Sequence, residues 1–306
     1  MSKKSGNLSE DILRKWKNAA TAKNIPEIFY TELKTRVIKD LPNKNNYKMA
    51  VVFNPWRLKR PTINRGDECN LCRMVKEAEK DHVKNLFPDY FDDMIVTPNE
   101  FPPSEGAVLL IAKKEIPMHN TNNLNFLGEH GETLSKLFKF GNRFGYNIFH
   151  QTEGAGATIG IHEHFHGTTL YKLQEEIGEL VGVDAAEIES VKGIKGVYTM
   201  PNFPFAHLIF DDKDAEKIVY LLKKLPSKLK SSLSNNSIPH TLSQCNKGIL
   251  ITPLQIDVGR SMGSERAPGY FFVNSPEEFE NTTYESAMNF MKERFYPRDI
   301  GLESLL

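Results

Sequence analysis

The chain has 306 residues, 40% hydrophobic and 10% aromatic, with 39 Lys and Arg against 39 Asp and Glu and only three Cys. Its 19 Phe, ten Tyr and two Trp exclude a disordered chain, and the odd Cys count argues against a disulfide scaffold. No apolar run approaches the ~20 residues that cross a bilayer, and Met1-Ser2-Lys3-Lys4-Ser5-Gly6 does not lead into a signal peptide, so a soluble, cytoplasmic protein without a membrane partner is expected.

The length allows one large domain or two fused halves. Zero net charge hides an asymmetry: residues 1–65 hold 15 basic and five acidic side chains, so the remainder carries a matching negative excess. A basic segment of this kind suits phosphate binding, although a solvated basic face is the simpler reading for most of its lysines.

In chain order, Leu8, Ile12, Leu13 and Trp16 recur at helical spacing behind an Asn7 cap with Glu10 three residues later, and Pro26 opens a second helical pattern through Leu33 and Ile38. Met49–Phe53 is a short apolar strand stopped by Asn54-Pro55. A polar, basic segment containing Cys69 and Cys72 runs to Phe87, and Met94–Thr97 and Ala107–Ala112 follow as strands. A helix is predicted over Leu124–Phe144 and a strand over Asn147–Gln151, then a glycine-rich loop and an alternating strand over Ile161–Leu170.

The second half repeats this order without a residue-level repeat. Strands are predicted at Gly196–Met200 and His207–Phe210, a helix at Asp214–Leu225, strands at Thr241–Ser243, Gly248–Thr252 and Tyr270–Val273, and one closing helix over Ser275–Arg294. The fold class expected is α+β, with antiparallel sheets carrying packed helices.

The segment richest in chemistry is Gly154-Ala155-Gly156-Ala157-Thr158-Ile159-Gly160-Ile161-His162-Glu163-His164-Phe165-His166. Strand side chains alternate, so the three histidines at i, i+2 and i+4 are expected on one face. The glycine loop before them can turn backbone N–H groups toward an anion. Two chemistries fit: an imidazole attacking phosphorus to form a phosphoramidate, or three imidazoles binding a metal. Upstream, Cys69-Asn70-Leu71-Cys72 has the spacing of a zinc knuckle, and equally that of a redox pair.

The His-x-His-x-His run behind a small-residue loop resembles the histidine-triad superfamily. The Cys pair, together with Asn54-Pro55 and Arg57-Leu58-Lys59-Arg60-Pro61 ahead of it, is similar to the galactose-1-phosphate uridylyltransferase and nucleotide phosphorylase branch. The matched stretch is roughly residues 48–170.

That resemblance implies two histidine-triad lobes, at 48–190 and 191–306, behind a helical segment at 1–47. It implies a nucleotidyltransferase or nucleotide phosphorylase acting on a nucleoside diphosphate-sugar or related nucleotide, with His164 as the nucleophile that becomes nucleotidyl-histidine and a phosphate-bearing acceptor. His166 stands where transferases carry Gln and could donate to a phosphate oxygen or act as a general acid, which keeps hydrolysis of the same intermediate as an alternative.

Arg57, Lys59 and Arg60 are then expected near the phosphates, with Gly156, Ala157, Thr158 and Gly160 shaping the phosphate loop. A structural Zn²⁺ is implied on Cys69, Cys72, His162 and a fourth ligand, His119 in preference to Glu115. A homodimer is implied, and no nucleic-acid partner. From other classes come a zinc hydrolase using His162, His164 and His166 as ligands, and a non-catalytic nucleotide-binding protein. Outside these motifs, His82, His130, His150 and His207 read as surface or satisfied core residues and Cys245 as a packed thiol, while Pro239-His240-Thr241-Leu242 and Gly259-Arg260-Ser261-Met262-Gly263 remain candidates for substrate contact.

Overall fold

The computed structural model describes residues 8–27, 32–39, 47–55, 69–113, 131–152, 162–211, 213–229, 238–255, 269–273 and 275–306. The first helix, α1 (Glu10–Ala22), is capped by Ser9, whose side chain accepts from the Ile12 N–H at 3.3 Å. Cap and first turn thus start two residues later than the Asn7 pattern suggested, and Asn7 itself lies outside the described residues. Trp16 anchors the helix: it is fully buried and donates its indole N–H to the Ala107 carbonyl at 2.9 Å.

The second helix predicted after Pro26 is instead a strand, β1 (Lys34–Ile38). It is an edge strand, mostly part-exposed, and pairs antiparallel with β2 (Met49–Phe53), which is buried along its whole length. On its other side β2 pairs in parallel with β12 (Tyr270–Val273), closing a small three-stranded sheet.

Within the polar, basic segment that contains the Cys pair, α2 (Asn70–Lys80) forms, a helix not predicted there. Leu71, Met74, Val75 and Ala78 recur at i, i+3, i+4 and i+7 and are buried against Ile95, Leu109 and Ile111. Then come β3 (Met94–Pro98), β4 (Val108–Ala112), α3 (Gly131–Phe144), β5 (Asn147–Gln151) and β6 (His164–Thr168). Two short helices, α4 (Leu170–Ile177) and α5 (Gly182–Ala185), lead to β7 (Glu189–Ser190), β8 (Val197–Thr199), β9 (Leu208–Phe210), α6 (Ala215–Lys228), β10 (His240–Cys245) and β11 (Gly248–Pro253). The closing helix is two, α7 (Pro276–Asn281) and α8 (Tyr284–Lys292), because Thr283 and Ser286 form a capping box that starts a new helix.

Nine strands make one sheet in the order β3-β4-β6-β5-β10-β11-β9-β8-β7, and each pair in it is antiparallel. The order is a duplication: β3-β4-β6-β5, with α3 between β4 and β5 in the chain, is repeated as β8-β9-β11-β10 with α6 in the same place. The halves join through β5 and β10, with Leu242 opposite His150. Alternation sorts the two faces. Leu110, Phe165, Ile148, Leu242, Ile251 and Leu208 face α1, α3 and α6, whereas Ile209 and Leu250 face the small sheet through Met49, Val51 and Phe53. This is the α+β class expected. No helix among the described residues is long and apolar enough to cross a membrane.

Candidate active site

Cys69 sits at the N-cap of α2 and Cys72 in its first turn, so one helix end carries both sulfurs. They meet His162, which lies just ahead of β6 and is buried. Its Nε2 is 2.6 Å from the Ala112 carbonyl, which can only accept, so that nitrogen carries the proton and Nδ1 keeps its lone pair. Nδ1 is 3.2 Å from the Cys72 sulfur and 3.7 Å from that of Cys69. Burial alone would raise the Cys69 thiol, but the adjoining His162 imidazole and the backbone N–H groups of Cys72 and Leu71 outweigh it and hold the thiol below its ordinary value.

These three residues fit a metal ion. Bonds of about 2.3 Å to sulfur and about 2.0 Å to imidazole nitrogen at a tetrahedral angle separate the ligand atoms by about 3.5 Å, between the two spacings observed. An imidazole whose far nitrogen is fixed on a carbonyl also has the tautomer a metal needs. Among the described residues this is the one group of three or more such side chains whose ligand atoms converge. The three triad histidines do not converge, against the zinc-hydrolase expectation: β6 starts only at His164, and the bent chain ahead of it turns His162 toward the cysteines.

His164 and His166 do share a face of β6, opposite Ile111 and Leu109 of β4 in the register, with ring centroids 5.2 Å apart. His164 is buried and donates from Nδ1 to the carbonyl of His162 at 2.9 Å. The lone pair is thereby left on Nε2. Burial pushes the His164 imidazole down to about 4, against the opposing pull of the backbone hydrogen bond and of Glu163, so the ring is neutral at pH 7. A neutral imidazole with a fixed tautomer is a nucleophile.

Behind the strand lies a polar cluster of Glu163, His150 and His240, of which sequence reasoning places His240 in a segment considered for substrate contact and His150 among surface or satisfied core residues. Glu163, between the two histidines, is fully buried, and its Oε1 is 2.6 Å from Nε2 of His150 on β5, also fully buried. His240, at the start of β10, is buried too and donates from Nδ1 to the Ile238 carbonyl at 2.9 Å. The only linear signal is the charge inside the triad; its partner is set by strand register.

Several expected site residues lie outside the described residues: Arg57, Lys59, Arg60, Glu115, His119, Gly156, Ala157, Thr158, Gly160 and the 259–263 segment. In the chain this segment connects Thr152, after β5, to His162, just ahead of the end of β6 that carries His164.

No protein-family model matches the chain, and no curated protein matches it. Solved structures of yeast Ap4A phosphorylase Apa2 are similar over nearly its whole length. One has a TM-score of 0.64 at 14% identity, covering 96% of this chain and 97% of that one. The complex with AMP gives 0.63 at 13% identity, covering 98% and 99%, and the complex with Ap4A 0.60 at 14%, covering 97% and 99%. Over nearly its whole length, the chain therefore has the fold of these Ap4A phosphorylase structures.

Proposed function

We propose that the protein is a nucleotidyl-transferring enzyme, a nucleotidyltransferase or nucleotide phosphorylase working through a covalent intermediate on His164. The observation that carries this reading is the state of that imidazole: neutral, buried, its Nδ1–H given to the His162 carbonyl and its lone pair on Nε2. The shared fold with a protein named as an Ap4A phosphorylase, crystallised with AMP and with Ap4A, supports a nucleotide as the substrate.

In the first step Nε2 of His164 attacks the α-phosphorus, a P–N bond forms, and the P–O bond to the leaving phosphate or sugar phosphate breaks with its electron pair. In the second, an oxygen of a phosphate-bearing acceptor attacks the same phosphorus and the P–N bond breaks, returning the lone pair to His164. His166, on the same face of β6, donates a hydrogen bond to the oxygens on which charge builds. The glycine segment with Gly156, Ala157, Thr158 and Gly160 and the basic residues Arg57, Lys59 and Arg60 are assigned to the phosphates.

Cys69, Cys72 and His162 would hold a structural zinc ion, with His119 as the fourth ligand, and the bound ion would tie the start of α2 to the start of β6. Among themselves the three residues keep His162 turned away from the nucleophile.

The test is intact-mass spectrometry after incubation with nucleoside triphosphates, nucleoside diphosphate-sugars and dinucleoside polyphosphates. A gain of one nucleoside monophosphate is expected, naming the base by its mass, and none in His164→Ala. Full turnover by His164→Ala overturns the mechanism. A second reading, hydrolysis, is favoured by His166 at the third triad position. It predicts free nucleoside monophosphate whether or not inorganic phosphate or a sugar phosphate is added.

A further inference from the structure

The side chain between the two triad histidines points away from them, into the core. Glu163 and His150 are both fully buried, 2.6 Å apart, and the His150 ring stacks on Phe165 with centroids 4.6 Å apart. As a source of stability the pair is poor. Among the described residues, Glu163 Oε2 and His150 Nδ1 have no hydrogen-bond partner, and each buried orphan costs about 1–3 kcal/mol. An apolar pair of similar volume often serves a fold as well or better.

What the pair does hold is a stretch of chain just beyond the regular β4–β6 ladder, where only Ala112 of β4 reaches it. The β4–β6 ladder begins at His164, opposite Ile111. One step upstream, the main-chain tie is the Ala112 N–H donating to the Glu163 carbonyl at 3.1 Å. The peptide between His162 and Glu163 also carries the carbonyl that accepts from His164 Nδ1. If that peptide rotates, the acceptor is lost and the His164 imidazole is free to change tautomer, which would move its lone pair to the wrong nitrogen. The Glu163 side chain is anchored behind the sheet, so it fixes the peptide from the side opposite the reacting face.

We propose that Glu163, clamped by His150, is a positioning residue that fixes the 162–163 peptide and through it the tautomer and aim of His164. The proposal rests on the reading of His164 as the nucleophile. It concerns residues on the far face of the sheet, which would touch neither substrate nor metal.

The decisive variant is the double substitution Glu163→Leu with His150→Phe, which removes the clamp and keeps both apolar packing and the stack on Phe165. Glu163→Gln is its partner, since the amide keeps the shape and one hydrogen bond. Two readouts are taken on the full chain: the single-turnover rate of nucleotidyl-histidine formation by mass spectrometry, and the ¹⁵N shifts of the His164 imidazole, which report its tautomer without any substrate.

Glu163→Gln is expected to keep the Nδ1–H tautomer and to form adduct within roughly threefold of wild type. The double variant is expected to melt at or above wild type, to show mixed tautomers, and to form adduct roughly 10- to 100-fold more slowly, with KM little changed. A folded double variant with the wild-type tautomer and rate overturns the proposal. A double variant that fails to fold makes the pair structural and overturns it equally. If the wild type forms no adduct with any nucleotide, the nucleotidyl-transfer reading fails separately. The tautomer measurement then decides the positioning role by itself, mixed tautomers in the double variant supporting it and a single Nδ1–H form overturning it.

Discussion

In the second half of the sheet β10 turns into β11 through Asn246 and Lys247 alone, whereas in the first half residues 152–163 separate β5 from β6. The strand order on either side of these joints is the same. The tight turn is pinned from outside: buried Asp184 accepts from the Asn246 N–H at 2.8 Å, and the Lys247 ammonium donates to the Ala186 carbonyl at 3.0 Å. Gly248 follows with φ of 131°, and a Cβ there would lie 2.2 Å from the Phe210 carbonyl oxygen, so the turn admits only glycine. Past it, β11 runs Ile249-Leu250-Ile251 and buries both faces. Past the longer connection, β6 runs His164-Phe165-His166, with Phe165 in the apolar core on one face and two imidazoles on the other, His164 buried and His166 part-exposed. One framework thus supplies an apolar strand and a histidine-bearing one, and the length of a single connection separates them.

The sharpest way to break this contrast is His164→Ala. It should remove the covalent adduct altogether and cut turnover about a thousandfold or more, as measured by mass spectrometry and steady-state assay, while leaving the melting temperature close to wild type. A matching loss of turnover from a packing change in β11 would erase the division of labour.

Next in size is the knuckle. Cys69→Ser or Cys72→Ser should lower bound zinc from about one per chain and lower the melting temperature by several degrees, and a chelator should do the same to the wild type. Elemental analysis of protein purified without added metal is the check. Protein that holds no metal, or that melts identically with and without chelator, ends the metal assignment.

In the second half, Leu250→Ala should cost about 2–5 kcal/mol in a urea titration, because Leu250 is fully buried against the small sheet. The rate of adduct formation at 25 °C in the folded fraction should not change. Together with His164→Ala, this separates a residue that carries chemistry from one that carries packing.

Much of this was legible in the sequence where burial is one-sided or complete. Met49–Phe53, Met94–Thr97 and Asn147–Gln151 are runs the hydrophobic pattern identifies to within a residue. The triad and the Cys pair announced themselves by spacing, and the structure brings Cys69, Cys72 and His162 together.

The misses have physical causes. Lys34–Ile38 is a half-exposed edge strand, so it lacks the alternation that would reveal it. α2 was masked by the charged residues on its outer face, although Leu71, Met74, Val75 and Ala78 have helical spacing. The break between α7 and α8 depends on a capping box of Thr283 and Ser286, small polar residues that read equally well as helix surface. The pairing of His150 with Glu163 could not be read at all, because it depends on how β5 and β6 register after the 152–163 connection.

The smallest effect expected is a pH dependence shared between the halves. His240, on β10 at the central seam, and His207, beside β9 in the second half, are buried and pushed down to about 4, chiefly by the cost of charging a ring away from water. Each ring keeps its Nδ1–H on a carbonyl, that of Ile238 for His240 and that of Phe205 for His207, and the His207 Nε2 accepts from the Met200 N–H at 2.8 Å. Protonating His207 therefore destroys an acceptor as well as placing a charge in the core. In the unfolded chain both rings titrate near 6.5, so below that pH the unfolded state binds the extra protons and stability falls. The contribution is fully present above about 6.5, is lost as pH drops toward about 4, and amounts to about 2 kcal/mol per ring by pH 5. Urea midpoints measured from pH 7.5 to 4.5 should fall accordingly. His207→Gln, which keeps an acceptor for Met200, should flatten the slope by about half of what the two rings supply together. An unchanged slope in that variant would move the acid sensitivity out of the second half and onto the seam.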